Sequence, residues 1–264
     1  MRDVNSKRFT FIVSLVLSVV CSLLVSTAAI LLRPIQEKNL ELDRQKNVLA
    51  AAGLLTPKVD IEQAFKSIQT LAVNIETGDY KIEQEFDKEY FNNFKLLSSS
   101  EGTSIRLTKA EDIAGIARIS IEQPAYLVVK DGKITKIILH AYGTGLWSTM
   151  YGFIALSGDG QEVEGLTFYD QSETPGLGGE IDNPLWKAQW VGKKVYNIDG
   201  EVAVGVGKGI INLASPEATY LVDSLSGATI TSRGVHNLVR FWIGDYGYGK
   251  FLSKIEKEGL NGRD

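Results

Sequence analysis

From Phe9 to Leu32 about 24 successive residues carry no charge. A run of that length crosses a bilayer as a helix with some tilt. Only a helix satisfies its own backbone hydrogen bonds there. Everything after it must therefore fold as a tethered domain. Arg2, Lys7 and Arg8 precede the run, Arg33 follows it and Lys38 lies further on. That basic excess in the short N-terminal flank predicts an N-terminus inside the cell and the bulk of the chain outside. The run continues past Ala28-Ala29 into Ile30-Leu31-Leu32, too long for the apolar core of a cleaved signal peptide, so an uncleaved anchor is expected. Cys21 follows the bulky Val19-Val20 pair, which does not suit lipoprotein cleavage, and reads as an embedded thiol without a special role. Ser14, Ser18, Ser22 and Ser26 recur every four residues along one helical ridge. They read either as a seam for a neighbouring helix or as serines bonded to their own backbone.

Composition narrows the outside domain. Of 264 residues 44% are hydrophobic, enough for a core once the span is set aside. The net charge of −4 and the interspersed signs exclude a basic nucleic-acid footprint. One cysteine, with His140 and His236 as the two histidines, builds neither a disulfide framework nor a cysteine- or histidine-based metal site. A redox role would need an organic cofactor.

Along the chain, Pro34 reads as a break or the start of a new element, and Gln36 to Ala52 as a polar helix stopped by Gly53. Asp60 with Gln63 predicts the cap of a short helix through Phe65 and Ile68. Residues from about Thr70 to Ser120 read as mixed and peripheral. The core is expected from about Ala125. Two β-rich runs flank Lys130-Asp131-Gly132, where Asp-Gly is a strong hairpin signal. A second pair, Gly152 to Leu156 and Val163 to Tyr169, flanks Gly158-Asp159-Gly160. Asn183-Pro184 starts a helix through Leu185, Trp186, Trp190 and Val191. Val202 to Val206 reads as a strand, and helices follow Ser232 and run over Lys250 to Glu258. The expected class is α+β: an antiparallel sheet flanked by helices behind one transmembrane helix. The expected parts are 1–8 cytoplasmic, 9–32 transmembrane, 33–120 membrane-proximal and mixed, and 121–264 the periplasmic domain.

Three loops carry the chemistry. In DSLSGATITS, Asp223 to Ser232, the small turn Ser226-Gly227-Ala228 presents the Thr229 hydroxyl. Val235, Leu238, Val239 and Trp242 then mark one helical face. A hydroxyl at a helix N-terminus sits where unpaired N–H groups and the dipole favour phosphate. The structural alternative is that Thr231 or Ser232 caps the helix. In the second loop, Glu173 to Glu180, glycines set tight turns around an exposed Leu177. A planar aromatic ligand would cover that side chain. A third glycine loop, Gly143-Thr144-Gly145-Leu146-Trp147, would supply a matching indole lid, unless Trp147 and Leu177 simply pack in the core.

With an ETPGLGG loop, a GLWSTMYGF segment and SGAT opening a helix, the chain resembles the C subunits of the sodium-translocating NADH:quinone oxidoreductases. The likeness extends through NPLWKAQWVGKK to FWIGDYGYGKFL, nearly end to end. DxxSGAT is also the pattern of proteins that carry FMN on a threonine. The resemblance implies a covalent FMN, joined by a phosphodiester to Thr229 by a separate flavin transferase that uses FAD. Asp223, Ser226, Gly227, Ala228 and Thr229 match that enzyme's recognition pattern. It implies Trp147 and Leu177 at the ring faces, with Leu146, Gly176 and Gly178 beside them and Glu173 and Thr174 near the edge. The implied role is electron relay among other subunits of an inner-membrane complex, from an iron–sulfur centre to another covalent FMN. No dinucleotide fingerprint follows a strand here, so NADH binding would belong to partners. The span carries no acids, so Na⁺ binding would too. No catalytic or metal-ligating residue is assigned. The flavin subunit of Rnf-type ferredoxin:NAD pumps shares the anchor and the SGAT turn. A redox-silent binding module and a structural scaffold are the rivals from other classes.

Overall fold

The computed structural model describes residues 6–258. Arg2, with the rest of 1–5 at the start of the expected cytoplasmic segment, lies outside the described residues. Two compact units divide the chain, one ending at Asp43 and one starting at Arg44. In the first, helix α1 (Lys7–Ala51) carries exposed apolar side chains such as Phe11, Leu23, Leu24, Ile30 and Leu31, and is long and apolar enough to cross a membrane. Pro34 does not interrupt it. The proline removes one N–H and crowds the carbonyl of Ile30, a local cost that the flanking turns absorb.

The second unit contains the last turns of α1, from Arg44, followed by α2 (Ile61–Phe65), β1 (Ile68–Asn74), β2 (Tyr80–Ile82), α3 (Phe86–Leu97), β3 (Ser104–Arg106), β4 (Arg118–Ser120), β5 (Glu122–Lys130), β6 (Lys133–Thr144), β7 (Thr149–Ser157), β8 (Val163–Asp170), α4 (Pro184–Ala188), β9 (Gly205–Val206), β10 (Leu221–Val222), α5 (Thr229–Ile243) and α6 (Gly249–Glu258). Six strands form the main antiparallel sheet in the order β2-β1-β5-β6-β7-β8. Asp131 and Gly132 both take positive φ, 51° and 72°, which is the mirror-image turn that matches strand twist. The Gly158-Asp159-Gly160 hairpin joins β7 to β8 as expected.

Both faces of the sheet are covered, which explains why its strands read as continuous apolar runs instead of clean alternations. One set of alternate residues, Leu127, Leu139, Ala141 and Ile154, packs with Val235, Leu238 and Trp242 of α5 and Phe251 of α6. The other set, Tyr126, Val128, Ile138 and Phe153, packs with Val48, Leu49 and Ala52. The stretch expected to be peripheral, Thr70 to Ser120, instead supplies most of β1, an interior strand paired with β5 over its whole length. The domain's own core therefore begins at Arg44 and not near residue 121. Two helix boundaries also shift. α4 ends at Ala188, leaving Trp190 as a fully buried residue beyond it, and Ile68 opens a strand instead of closing α2. The expected strand 202–206 shrinks to two residues, which pair in parallel with β10.

Behind the second face a charged pair is buried. Arg44 donates to Asp87 through Nη2 at 2.7 Å and Nε at 3.0 Å, and the Tyr126 hydroxyl donates to the same carboxylate. His140 lies in the adjoining aromatic cluster, its Nε2 2.9 Å from the Tyr169 hydroxyl. Burial, with the Arg44 charge second, holds its pKa down at about 3. The unfolded chain binds a proton at about pH 6.5 that the folded chain refuses, so this residue's stabilising contribution is complete above that pH and is lost as pH falls toward 3. The slope is about 1.4 kcal/mol per pH unit at most. His140→Phe, which fits the aromatic surroundings, should reduce the acid dependence of the urea midpoint between pH 4 and 6.5 by about one proton. A profile parallel to wild type would rule this account out.

Candidate functional site

α5 begins at Thr229, four residues earlier than a cap at Ser232 would set it. Its N-cap position is Ala228, which has no side chain able to accept a first-turn N–H. Neither expected capping hydroxyl serves the helix end. Thr231 donates to the carboxylate of Glu173, and the Ser232 hydroxyl accepts from the backbone N–H of Leu225 at 2.9 Å. Both are buried, whereas Thr229 is exposed. The helix start is thus left with its N–H groups uncapped by side chains and one free hydroxyl beside them, the arrangement that suits a phosphate ester. Ser226 and Gly227 are exposed with it, and Gly227 takes φ +72°, which closes the turn.

Glu173 ties this turn to both glycine loops. It is 4% exposed. One carboxylate oxygen accepts from the backbone N–H of Leu146 at 3.0 Å and of Trp147 at 2.9 Å, and the other accepts from Thr231. Three donors compensate a charge that burial would otherwise make costly. The approach leaves no room for side chains. A Cβ on Gly145 would fall 2.5 Å from the Glu173 carboxylate, and one on Gly178 would fall 2.5 Å from the Thr231 hydroxyl. These glycines of the two loops are needed for closeness as well as for turning.

Around this anchor, apolar side chains stand in solvent. Trp147 is 70% exposed, Leu146 47%, Leu177 44% and Ile230 55%. Trp147 is nonetheless fixed, its Nε1 donating to the Thr174 hydroxyl at 3.0 Å. Leu177 reaches over the turn, its Cδ2 3.0 Å from where a Gly227 Cβ would stand. The core-packing alternative for Trp147 and Leu177 does not hold at these exposures. Large apolar groups held on ordered loops mark a surface that something covers. Gly176 is exposed at φ +76°, and Gly178 is buried beneath the loop. The geometry thus joins Leu146, Trp147, Glu173, Thr174, Leu177 and Gly178 to the SGAT turn. Glu173 faces into the protein: the contacts described above engage both of its oxygens.

Asp223 faces elsewhere. Its carboxylate accepts from the Ile211 N–H at 2.7 Å and from Gln189 Nε2 at 3.2 Å, so it is held against the end of α4. Sequence reasoning missed three participants. Thr231 carried a hydroxyl signal but was read only as a cap. Ile230 falls off the apolar stripe of α5, a signal that it faces outward. Gln189 carried no signal in its spacing.

Replacing Glu173 by Ala strands two backbone N–H groups and the Thr231 hydroxyl. It should cost roughly 2–4 kcal/mol and speed amide exchange at Leu146 and Trp147. Glu173→Gln keeps an acceptor for both N–H groups and should cost less. Equal exchange in wild type and Glu173→Ala would show that Glu173 does not hold this loop.

The chain is similar to known proteins in sequence and in fold. The FMN-binding domain family model matches residues 145–244, which runs from the Gly145 loop through α5. The C subunit of the Na(+)-translocating NADH-quinone reductase of Yersinia pestis is 43% identical over 264 residues, covering 98% of this chain and 97% of the relative. That of Pseudomonas aeruginosa is 43% identical over 261 residues, covering 97% and 99%. The crystal structure of Shewanella oneidensis NqrC superposes with a TM-score of 0.71 at 30% identity, over 81% of this chain and 96% of that one. With an α+β fold like that structure, an FMN-binding region containing the uncapped Thr229 turn, and full-length relatives at this identity, the chain belongs to the family of Na(+)-translocating NADH-quinone reductase C subunits.

Proposed function

We infer that this chain is the electron-transfer flavin subunit of a Na⁺-translocating NADH-quinone reductase, working among the other subunits of that complex. The FMN is held covalently on Thr229 Oγ1 through its phosphate. The observation that carries this reading is the exposed Thr229 hydroxyl at a helix start with no side-chain cap.

The residues fit the group. First-turn N–H groups of α5 would donate to the phosphate and the helix dipole would favour its charge. Trp147 and Leu177 offer apolar surface of the kind that covers a planar ring, with Leu146 and Ile230 at the margin. Thr174 holds the Trp147 indole at its N–H. Glu173 keeps the Leu146–Trp147 loop against α5 and needs no direct contact with the ring to do so. When bound, FMN supplies one- and two-electron chemistry that no side chain here provides. The ester leaves the ring's own chemistry intact, so the chain tunes it through packing and nearby dipoles.

A flavin transferase makes the attachment. Thr229 Oγ1 attacks the flavin-side phosphorus of FAD, a new P–O bond forms, the pyrophosphate bond breaks, AMP departs and the hydroxyl proton passes to solvent. The apolar helix anchors the chain with its N-terminus in the cytoplasm, and the FMN-binding region works on the outer side of the membrane. The basic flank at Lys7 and Arg8 supports this orientation.

Protein purified from its native host should give a Thr229 peptide heavier than its amino acids by FMN less water, and a fluorescent band that survives denaturing electrophoresis. Thr229→Val should abolish both and remove most quinone reduction while the complex still assembles. A native peptide of bare mass would end this reading, and full turnover by Thr229→Val would reduce the subunit to a scaffold.

A further inference from the structure

Asp223 lies six residues before Thr229, at the point where the turn leaves β10. Each of its polar groups has a partner in the folded domain. Its N–H donates to Gln189 Oε1 at 2.9 Å. Its carbonyl accepts from Trp186 Nε1 at 2.8 Å. One carboxylate oxygen accepts from Ile211 N–H at 2.7 Å and the other from Gln189 Nε2 at 3.2 Å. Gln189 thus grips Asp223 at two points, using the acceptor and the donor of one amide. The far end of the turn is pinned as well, by the Leu225 N–H to the Ser232 hydroxyl and by the buried Ala228. Between these two pins only a short exposed stretch around Ser226, Gly227 and Thr229 is left.

We propose that Gln189 and Asp223 form a clamp that positions the Thr229 turn for flavin attachment, and that the Asp223 carboxylate acts through this clamp and not as a group read by the transferase. This rests on Thr229 being the attachment site. Attack on the FAD phosphorus requires one hydroxyl held in place, and misplacement by about an ångström is enough to slow such a transfer severely. A segment fastened at Asp223 and Leu225 holds Thr229 Oγ1 where a free loop would not. Gln189 is a positioning residue: it touches neither the hydroxyl nor the incoming phosphate. It is half-buried beside a surface groove, so its loss lets water reach the carboxylate while Ile211 and Trp186 keep their bonds, and the domain stays folded.

The test is a swap, made in the full chain coexpressed with an FAD-dependent flavin transferase. The fraction of the Thr229 peptide carrying FMN is read by mass, and the thermal midpoint is measured alongside. Gln189→Leu removes the grip, and Asp223→Asn turns an amide donor toward the Gln189 donor. Each should lower the modified fraction at early times by about tenfold with the midpoint nearly unchanged. Gln189→Glu combined with Asp223→Asn restores complementarity, since the amide introduced at position 223 then donates to the new carboxylate, which also accepts that position's backbone N–H. That double variant should recover most of the modification. Wild-type modification in Gln189→Leu, or a double variant as poorly modified as Asp223→Asn alone, overturns the clamp and makes the carboxylate itself the recognised group. A wild-type chain no more modified than Thr229→Val brings down the attachment site and the clamp together.

Discussion

The site depends on a charge that cannot be satisfied locally. Glu173 is buried, and the donors that offset its burial come from two other segments: the β6–β7 loop through Leu146 and Trp147, and α5 through Thr231. A buried carboxylate with a missing donor is costly. The two loops and the helix start are therefore stable together or not at all. The close approach this demands excludes a Cβ at Gly145 and Gly178. The glycines that look in the sequence like flexible turns are thus parts of a rigid junction.

That junction is useful because of what the sheet does beneath it. β6 and β7 are buried on both faces and end at the Leu146–Trp147 loop, so the loop is carried by the most constrained strands of the domain. α5 lies along the same sheet through Val235, Leu238 and Trp242, and the Trp242 indole donates to the carbonyl of Tyr142 at 2.7 Å. The start of α5 is placed from the core outward. Fixing both partners leaves Trp147, Leu177 and Ile230 facing solvent without the freedom to collapse onto the protein. A pre-formed apolar rim of that kind would lose little conformational freedom on covering a flat ring.

Several features were legible because they are local. An uncharged run of bilayer length, an Asp-Gly hairpin and an Asn-Pro helix start each carry their physics within a few residues, and each stands where it was read. The Asn183 side chain does accept the Leu185 N–H. Where the reading failed, longer-range partners decided. β1 sits in a stretch of mixed composition, and only its pairing with β5 makes it an interior strand. Thr231 and Ser232 have the chemistry of caps, but Glu173 and Leu225 claim their hydroxyls. Pro34 is a helix breaker by propensity, and α1 continues through it.

The sequence by itself determined a helix long and apolar enough to cross a membrane, the class of fold and a small-residue turn presenting Thr229, because apolar length, strand periodicity and turn composition are properties of neighbouring residues. The tertiary structure alone decided that Glu173 binds the loops to α5, that the helix start is free of a cap, and that Asp223 is gripped by Gln189. Those facts depend on where a donor and an acceptor meet across 26 to 58 residues of chain, and no spacing in the sequence encodes that distance.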